Sequence, residues 1–509
     1  MLSIFGGTRS AHPMADQKEA RRVLAALPVA DAFAVLEELA HWLESVQADP
    51  TFRPEQRAQL VQMLDEAGQA SVRKLSREYL AASRLGKHHE IKLWNAVQAF
   101  WNGVAHGYAT CLDALAAGAK GADALKGSLP LIGVRALRAL AARLKWLHLR
   151  YGPLDAHIWT VMCGIYALLE SKRANRVSVT VYPGVAMTST AEQELLRAAM
   201  FSTCSPDSLL PLEIELAERV IAHCSARFAF VAQHQVETPY WIDLAHGAAP
   251  ARVARPPQPG PGVRFFGPGA AAAEIEAYAG QIRATHEIPA ALAFGGAYAS
   301  ETMLGVLEHF QHCWSAKLSQ RRHPRHRVKS RLTIAWGFDG ILDVLRPANS
   351  LDFAGAAYES WIVENVSVGG FGALVPQVRG DWLRIGCLIA MRAEGGDNWL
   401  VGVVRRLSRP TLEQAAVGIQ TLARAAAPVD LRVQTGNLTS LDTEAGIFLD
   451  HADADTEIQT LVRPGVHLPG QSFALDWDGR RKVLLPVGIA ERGHDYELLR
   501  CRHFVRDAA

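Results

Sequence analysis

No two of the seven cysteines form a CxxC pair: Cys111, Cys163, Cys204, Cys224, Cys313, Cys387 and Cys501 are scattered and odd in number. That excludes a disulfide framework and a cysteine zinc site, and fits reduced thiols. Long hydrophobic runs are missing too. The most apolar helical stretch, "HIWTVMCGIYALLE", is too short to cross a bilayer and closes on Glu170. The opening "MLSIFGGTRSAHPMADQKEARR" has no basic segment followed by an apolar run and a cleavage site, so a cytoplasmic location is expected. Charge of one sign is balanced: the net charge is +2, which leaves no bulk field for nucleic acid, so any basic function must be local. Catalytic signatures are absent as well. There is no GxxxxGK[ST], no GxSxG and no HExxH, and nothing pairs a nucleophile with a base, so catalysis is not indicated.

What is present belongs to a soluble globular chain, 49% hydrophobic and 20% charged. At 509 residues it exceeds one ordinary core, and two to four domains are expected. From about residue 14 to 225 the apolar positions recur at helical spacing. In "ADAFAVLEELAHWLESV" Leu36, Leu39, Leu43 and Val46 share one face, with Glu37, Glu38 and Glu44 turned away. "SPDSLLPLEIELAERVIAHC" opens on Ser and Asp, good N-cap chemistry, with Pro211 near its start. No fixed period repeats, so an irregular antiparallel helical bundle is expected rather than a solenoid. Short strands or extended connectors are expected at 177–187 and 228–245.

"RVARPPQPGPG", 252–262, holds four prolines and two glycines and reads as a stiff linker or exposed loop. Helical text then resumes to about 317. From "HRVKSRLTIAW" onward the period becomes alternating, and "WIVENVS", "FGALV", "GCLIAMR", "NWLVGVVRRLS" and "AAVGIQTLA" follow between turn residues. This predicts an antiparallel barrel or sandwich over about 318–430, with a further β-rich module or barrel extension over 431–509. The fold class is therefore multidomain α+β: an all-α domain (1–250), a linker with helices (251–317), a small β-barrel, and a C-terminal β-rich segment.

Chemistry concentrates in two places. Between Gln311 and Leu332 stand seven Lys or Arg residues and no acid, with "RRHPRHRV" at the centre. Three readings compete: a solvated junction, a nucleic-acid handle, for which the interleaved aromatics are lacking, or a grip for one phosphate ligand. Arginine holds phosphate oxygens at two points, reads the O6/N7 edge of guanine, and stacks on a base. The second place is "ENVSVGGFGALV", where Asn365, Ser367 and Gly370 offer base-edge hydrogen bonds and a tight turn; a capped β-turn is the plainer account of it.

Together, Arg321-Arg322-His323-Pro324-Arg325 and Asn365-Val366-Ser367-Val368-Gly369-Gly370 resemble the RxxxR and [D/N]xSxxG signatures of the PilZ domain, the bacterial receptor module for cyclic di-GMP. The resemblance covers about 318–425. It implies that Arg321 and Arg325 clamp phosphates and guanines, that Arg322 assists, that Asn365 and Ser367 meet a guanine, and that Gly370 shapes the loop. The segment "GFDGILDVLRPANSLDFAGAAYES" departs from the family as an insertion, and Asn365 replaces the commoner Asp. The expected function is a cyclic di-GMP receptor that signals to its helical domain or to a protein partner, with motility, adhesion, biofilm or polysaccharide as outputs of the class. The alternative is a ligand-free PilZ-type interaction scaffold. No cofactor beyond the ligand, no nucleic acid and no membrane insertion are expected, and self-association is left open.

Three other clusters carry metal-ligating residue types. His88, His89 and Glu90 are consecutive and diverge around a helix axis. His309, His312 and Cys313 have metal-like spacing but need a fourth ligand. Asp450, Asp453, Asp455 and Glu457 lack the glycine of a calcium loop. "GNLTS", 436–440, faintly echoes "ENVSVGG", which admits a degenerate second barrel.

Overall fold

The computed structural model describes residues 12–81, 86–258, 260–317, 324–346, 358–435, 438–449, 457–477 and 480–505. The chain divides into two compact units, one of residues 1–150 and 154–319, the other of 151–153 and 320–509.

The first unit is built on α1 (Gln17–Ala25), α2 (Ala32–Ala48), α3 (Pro54–Ala81), α4 (Lys87–Ala116), α5 (Leu129–Leu149), α6 (His157–Ser171), α7 (Ala191–Thr203), α8 (Pro211–Cys224), α9 (Ala271–Thr285) and α10 (Ser300–Cys313). Asp31 caps α2 by accepting from the Phe33 and Ala34 amides. The four residues assigned to one face of α2, Leu36, Leu39, Leu43 and Val46, are all buried; each such side chain contributes roughly 1.5–3 kcal/mol of burial. The start of α8 differs from expectation. Its N-cap is Leu210, and the Glu213 carboxylate accepts the Leu210 amide at 2.7 Å, while Pro206–Ser208 form a separate 3-10 turn. Proline at the first helical position places the start after the Ser/Asp pair rather than on it.

Short strands complete this unit. β1 (Val179–Thr180) pairs with β2 (Thr188–Ser189), and β3 (Ala229–Val231), β4 (Tyr240–Asp243), β5 (Ala251–Arg252) and β6 (Val263–Gly267) form a sheet ordered β3-β6-β4-β5. The Pro/Gly run is the loop from β5 to β6. Arg252 at its entrance donates to the carbonyl of Cys313 (2.9 Å), the last residue of α10, and to that of Ser315 (2.5 Å) just beyond it.

The second unit holds two closed antiparallel barrels. The first comprises β7 (His326–Trp336), β8 (Glu359–Ser367), β9 (Gly370–Val375), β10 (Leu388–Ala393), β11 (Leu400–Ser408) and β12 (Ala415–Ala423), with α11 (Gly337–Leu345) inserted after β7. The second comprises β13 (Ala426–Thr435), β14 (Leu438–Leu449), β15 (Glu457–Val462), β16 (Ser472–Trp477), β17 (Arg480–Arg492) and β18 (Glu497–Val505). If strands are counted one to six within each barrel, both run 1-2-3-6-5-4 and close four onto one. The C-terminal segment is thus a topological duplicate of the first barrel. Closure also removes the free sheet edges that would otherwise template aggregation.

The interior of the second barrel is filled by Leu431, Phe448, Phe473, Leu484 and Leu499. A different apolar layer joins the barrels: Phe338, Ile341 and Leu342 of α11 and Leu388, Ala390, Val401 and Val403 of the first barrel pack with Ile447, Leu449, Leu461, Tyr496 and Leu498 of the second. All of β10 from Leu388 to Met391 is buried, because one face lines the first barrel and the other meets this layer. The inserted α11 belongs to that joint. Asp495 of the second barrel accepts the Phe338 amide at its first turn (3.0 Å), and Arg463 pairs with Asp339.

Candidate functional site

Residues 324 and 325 lead into β7, which pairs antiparallel with β8 so that His326 faces Val366 and Arg327 faces Asn365. The register then slips: Ser330 faces Val363, so Val328 and Lys329 together oppose Glu364. On its other side β8 is irregular at the same residue, between Val363 and Asn365. Two irregularities around Glu364 open the sheet into a cleft, a common use of β-bulges beside binding sites. The cleft encloses about 1040 Å³ and is lined by Arg325, Arg327, Val328, Lys329, Ser330, Arg331, Ile362, Val363, Glu364, Asn365 and Glu394. Four cations and two acids make it net positive. Among the described residues, the side chains of Arg325, Arg327 and Lys329 have no ion-pair or hydrogen-bond partner, and all three are exposed.

Asn365 is half-buried, yet its Oδ1 is shielded from solvent and has no hydrogen-bond partner. A desolvated acceptor without a donor costs about 1–3 kcal/mol. Gly372, opposite Asn365 in the ladder, makes room for the amide: a Cβ there would stand 2.4 Å from Asn365 Nδ2.

The rest of the motif is structural. Ser367 Oγ donates to the Gly370 carbonyl at 3.3 Å, and the Gly369 carbonyl accepts the Thr421 amide at 3.1 Å. A Cβ on Gly370 would lie 1.9 Å from the Ile419 carbonyl oxygen, at φ 155°. Glycine is therefore required by the close approach of β12.

Of the six predicted site residues, Arg325 and Asn365 meet in the cleft; Ser367 and Gly370 form the adjoining turn and do not line it. Arg321 and Arg322 lie outside the described residues. Sequence reasoning passed over Arg327, Lys329, Glu364 and Glu394. The signal for the first two was available, since 325, 327, 329 and 331 are cationic at the period of a strand.

The remaining clusters have other partners. His309 donates from Nε2 to the Cys204 carbonyl at 2.5 Å, and Cys313 Sγ lies 3.6 Å from the same oxygen. Burial holds the His309 imidazole below its ordinary value. His89 pairs with Glu78 at 2.8 Å, while Glu90 accepts from Tyr79 at 3.2 Å. Asp450, Asp453 and Asp455 lie outside the described residues, and among those described no group of three metal-ligating side chains occurs. The "GNLTS" echo falls at the β13–β14 corner, with 436 and 437 outside the described residues. By topology, the counterpart of the Asn365 corner is β14–β15, so the echo is not a copied motif.

Comparison with known families bears on the first unit rather than on the cleft. Residues 18–234 match the family described as the cyclic-di-GMP receptor FimW, N-terminal domain. The matched stretch runs from within α1 to just past β3, through the helical part of the first unit. No match to a curated protein was found. Among the described residues no helix is long and apolar enough to cross a membrane.

Proposed function

We propose that this chain is a non-enzymatic receptor for cyclic di-GMP and that its first barrel is a PilZ domain. The observation that carries this reading is the cleft that Arg325 and Asn365, forty residues apart in sequence, line together with unpartnered cations and an unpartnered acceptor.

 The match of the first unit to a cyclic-di-GMP receptor domain supports the same ligand independently, from a region that contains none of these residues.

The chemistry follows from the groups present. Cyclic di-GMP is a dianion whose guanines carry an N1–H/N2–H donor edge and an O6/N7 acceptor edge. Arg325, with Arg321 and Arg322 ahead of it in sequence, supplies forked donors for phosphate oxygens, and an arginine fork in the cleft can take the acceptor edge. Asn365 Oδ1 offers the missing acceptor for the donor edge. Ser367 and Gly370 hold the corner in place, the serine through its bond to the Gly370 carbonyl. The like charges of Arg325, Arg327 and Lys329 repel one another until an anion arrives, so the ligand favours one arrangement of these side chains over others, as a switch requires. The helical unit or a protein bound to it is the receiver of that change, with motility, adhesion, biofilm or polysaccharide production as the outputs of the class.

Calorimetric titration of the full chain with cyclic di-GMP tests the proposal. Saturable binding is expected, and at a hundredfold excess over Kd the nucleotide should stabilise the fold by about 2.7 kcal/mol. Arg325→Ala should weaken binding by about 1.5–3 kcal/mol while melting as the parent does. Undiminished binding in that variant would overturn the site, and a parent chain that ignores the nucleotide would be a scaffold instead.

A further inference from the structure

We infer that Arg327, which lies outside both signature motifs, is the residue that selects guanine over adenine in this cleft; the inference rests on the receptor reading above. Arg327 faces Asn365 directly across the β7–β8 ladder. Side chains so paired project from the same face of the sheet with Cβ atoms about 4.5–5.5 Å apart, and both residues line the cleft. A planar base seated there meets an acceptor, Asn365 Oδ1, on one side and a guanidinium on the other.

Those two groups are complementary to guanine in particular. Its N1–H and N2–H₂ donate to the unpartnered Oδ1 of Asn365, and its O6 and N7 together accept the fork of Arg327. Adenine carries an amino group where guanine has O6, so the same fork meets a donor and one hydrogen bond is lost to repulsion. Arg327 is free for this role. Among the described residues its side chain has no hydrogen-bond or ion-pair partner, although Glu364 and Glu394 line the same cleft. The bulge that follows places Val328 and Lys329 together opposite Glu364, so the alternation that would carry a further cation onto the Asn365 pair is broken after Arg327. Arg325, one step earlier on the exposed lead-in, serves the phosphates, which both nucleotides share.

The test is calorimetry of the full chain with cyclic di-GMP and cyclic di-AMP. The parent should prefer the guanine nucleotide by roughly 10- to 100-fold. Arg327→Ala should lose most of that preference by weakening cyclic di-GMP alone, whereas Arg325→Ala should weaken both nucleotides together. Arg327→Met, which keeps the length of the side chain and removes its donors, should also lose the preference, and it serves if the alanine variant melts early. A preference left intact in either Arg327 variant overturns the inference and leaves the receptor reading standing. A parent chain that binds neither nucleotide removes both.

Discussion

Arg405 of β11 grips Glu491 of β17 through both terminal guanidinium nitrogens, at 2.7 and 2.5 Å, and Tyr496 donates to the same carboxylate at 2.5 Å. This pair sits at the edge of the apolar layer that joins the two barrels, where Tyr496 is itself buried. Burial pushes the Glu491 carboxyl up, but the bonds from Arg405 and Tyr496 outweigh it and hold the group below its ordinary value. A depressed carboxylate adds stability that is present above the unfolded-state pKa of about 4.3 and fades as pH falls through the lower folded-state value. Arg405→Ala is expected to cost about 1–2 kcal/mol at pH 7, discounted for the partial exposure of the pair, and less below pH 4. Urea denaturation at both pH values measures this. Equal stability of parent and variant at pH 7 would assign the joint to the apolar layer alone.

Asp65 gives the opposite sign. It is fully buried in the first unit and accepts from Gln69 (2.7 Å), Tyr108 (3.0 Å) and Tyr182 (3.2 Å). Burial pushes its carboxyl up to about 6, against the opposing pull of Arg135 and these hydrogen bonds. The folded state therefore keeps the proton over a range where the unfolded chain has released it. Stability is full below the unfolded-state pKa of about 3.9 and declines as pH rises to the folded-state value, by roughly 3 kcal/mol in all. Asp65→Asn keeps an acceptor and removes the titration. The variant should gain on the parent steadily from pH 4 to pH 7 in denaturant melts, and parallel curves would contradict the assignment.

How much of this was legible in the sequence depended on whether the cause was local. The alternation of "HRVKSRLTIAW" marked β7 from end to end, because inward Leu332 and Ile334 enforce the strand period and are buried. The face of α2 was equally readable. The start of α8 was not, since Ser205 and Asp207 carry capping chemistry but a 3-10 turn and Pro211 move the helix onward. The C-terminal segment was legible as a β-rich module or barrel extension, with a degenerate duplicate open, but its closure was not, because barrel topology is long-range pairing and the counterpart corner carries no motif. Arg327 was hidden for a related reason: only the cross-strand register shows which cation faces Asn365.

Gly370 should tolerate no side chain. Its added Cβ would meet the Ile419 carbonyl, a backbone atom held in the β9–β12 ladder, so the strand itself would have to move. Gly370→Ala is expected to destabilise the second unit by about 1–3 kcal/mol or more and to reduce nucleotide binding as a consequence. Thermal melting together with titration separates the two effects; an unshifted melting temperature would show that the turn is looser than its geometry implies.

Gly372 offers the contrasting experiment two residues further along. There the atoms in the way are Nδ2 and Oδ1 of Asn365, the far end of a side chain that can rotate, rather than backbone. Gly372→Ala should therefore leave the melting temperature close to the parent's while it swings the Asn365 amide out of the cleft. Loss of the acceptor removes one hydrogen bond to the nucleotide, a weakening of about 0.5–1.5 kcal/mol or somewhat more, and Asn365→Ala should weaken binding to a similar degree. Combining the two substitutions should add little to either alone, because both act through one atom. Additive losses in calorimetry would mean that Gly372 touches the ligand itself, through the close approach of backbone that only glycine allows.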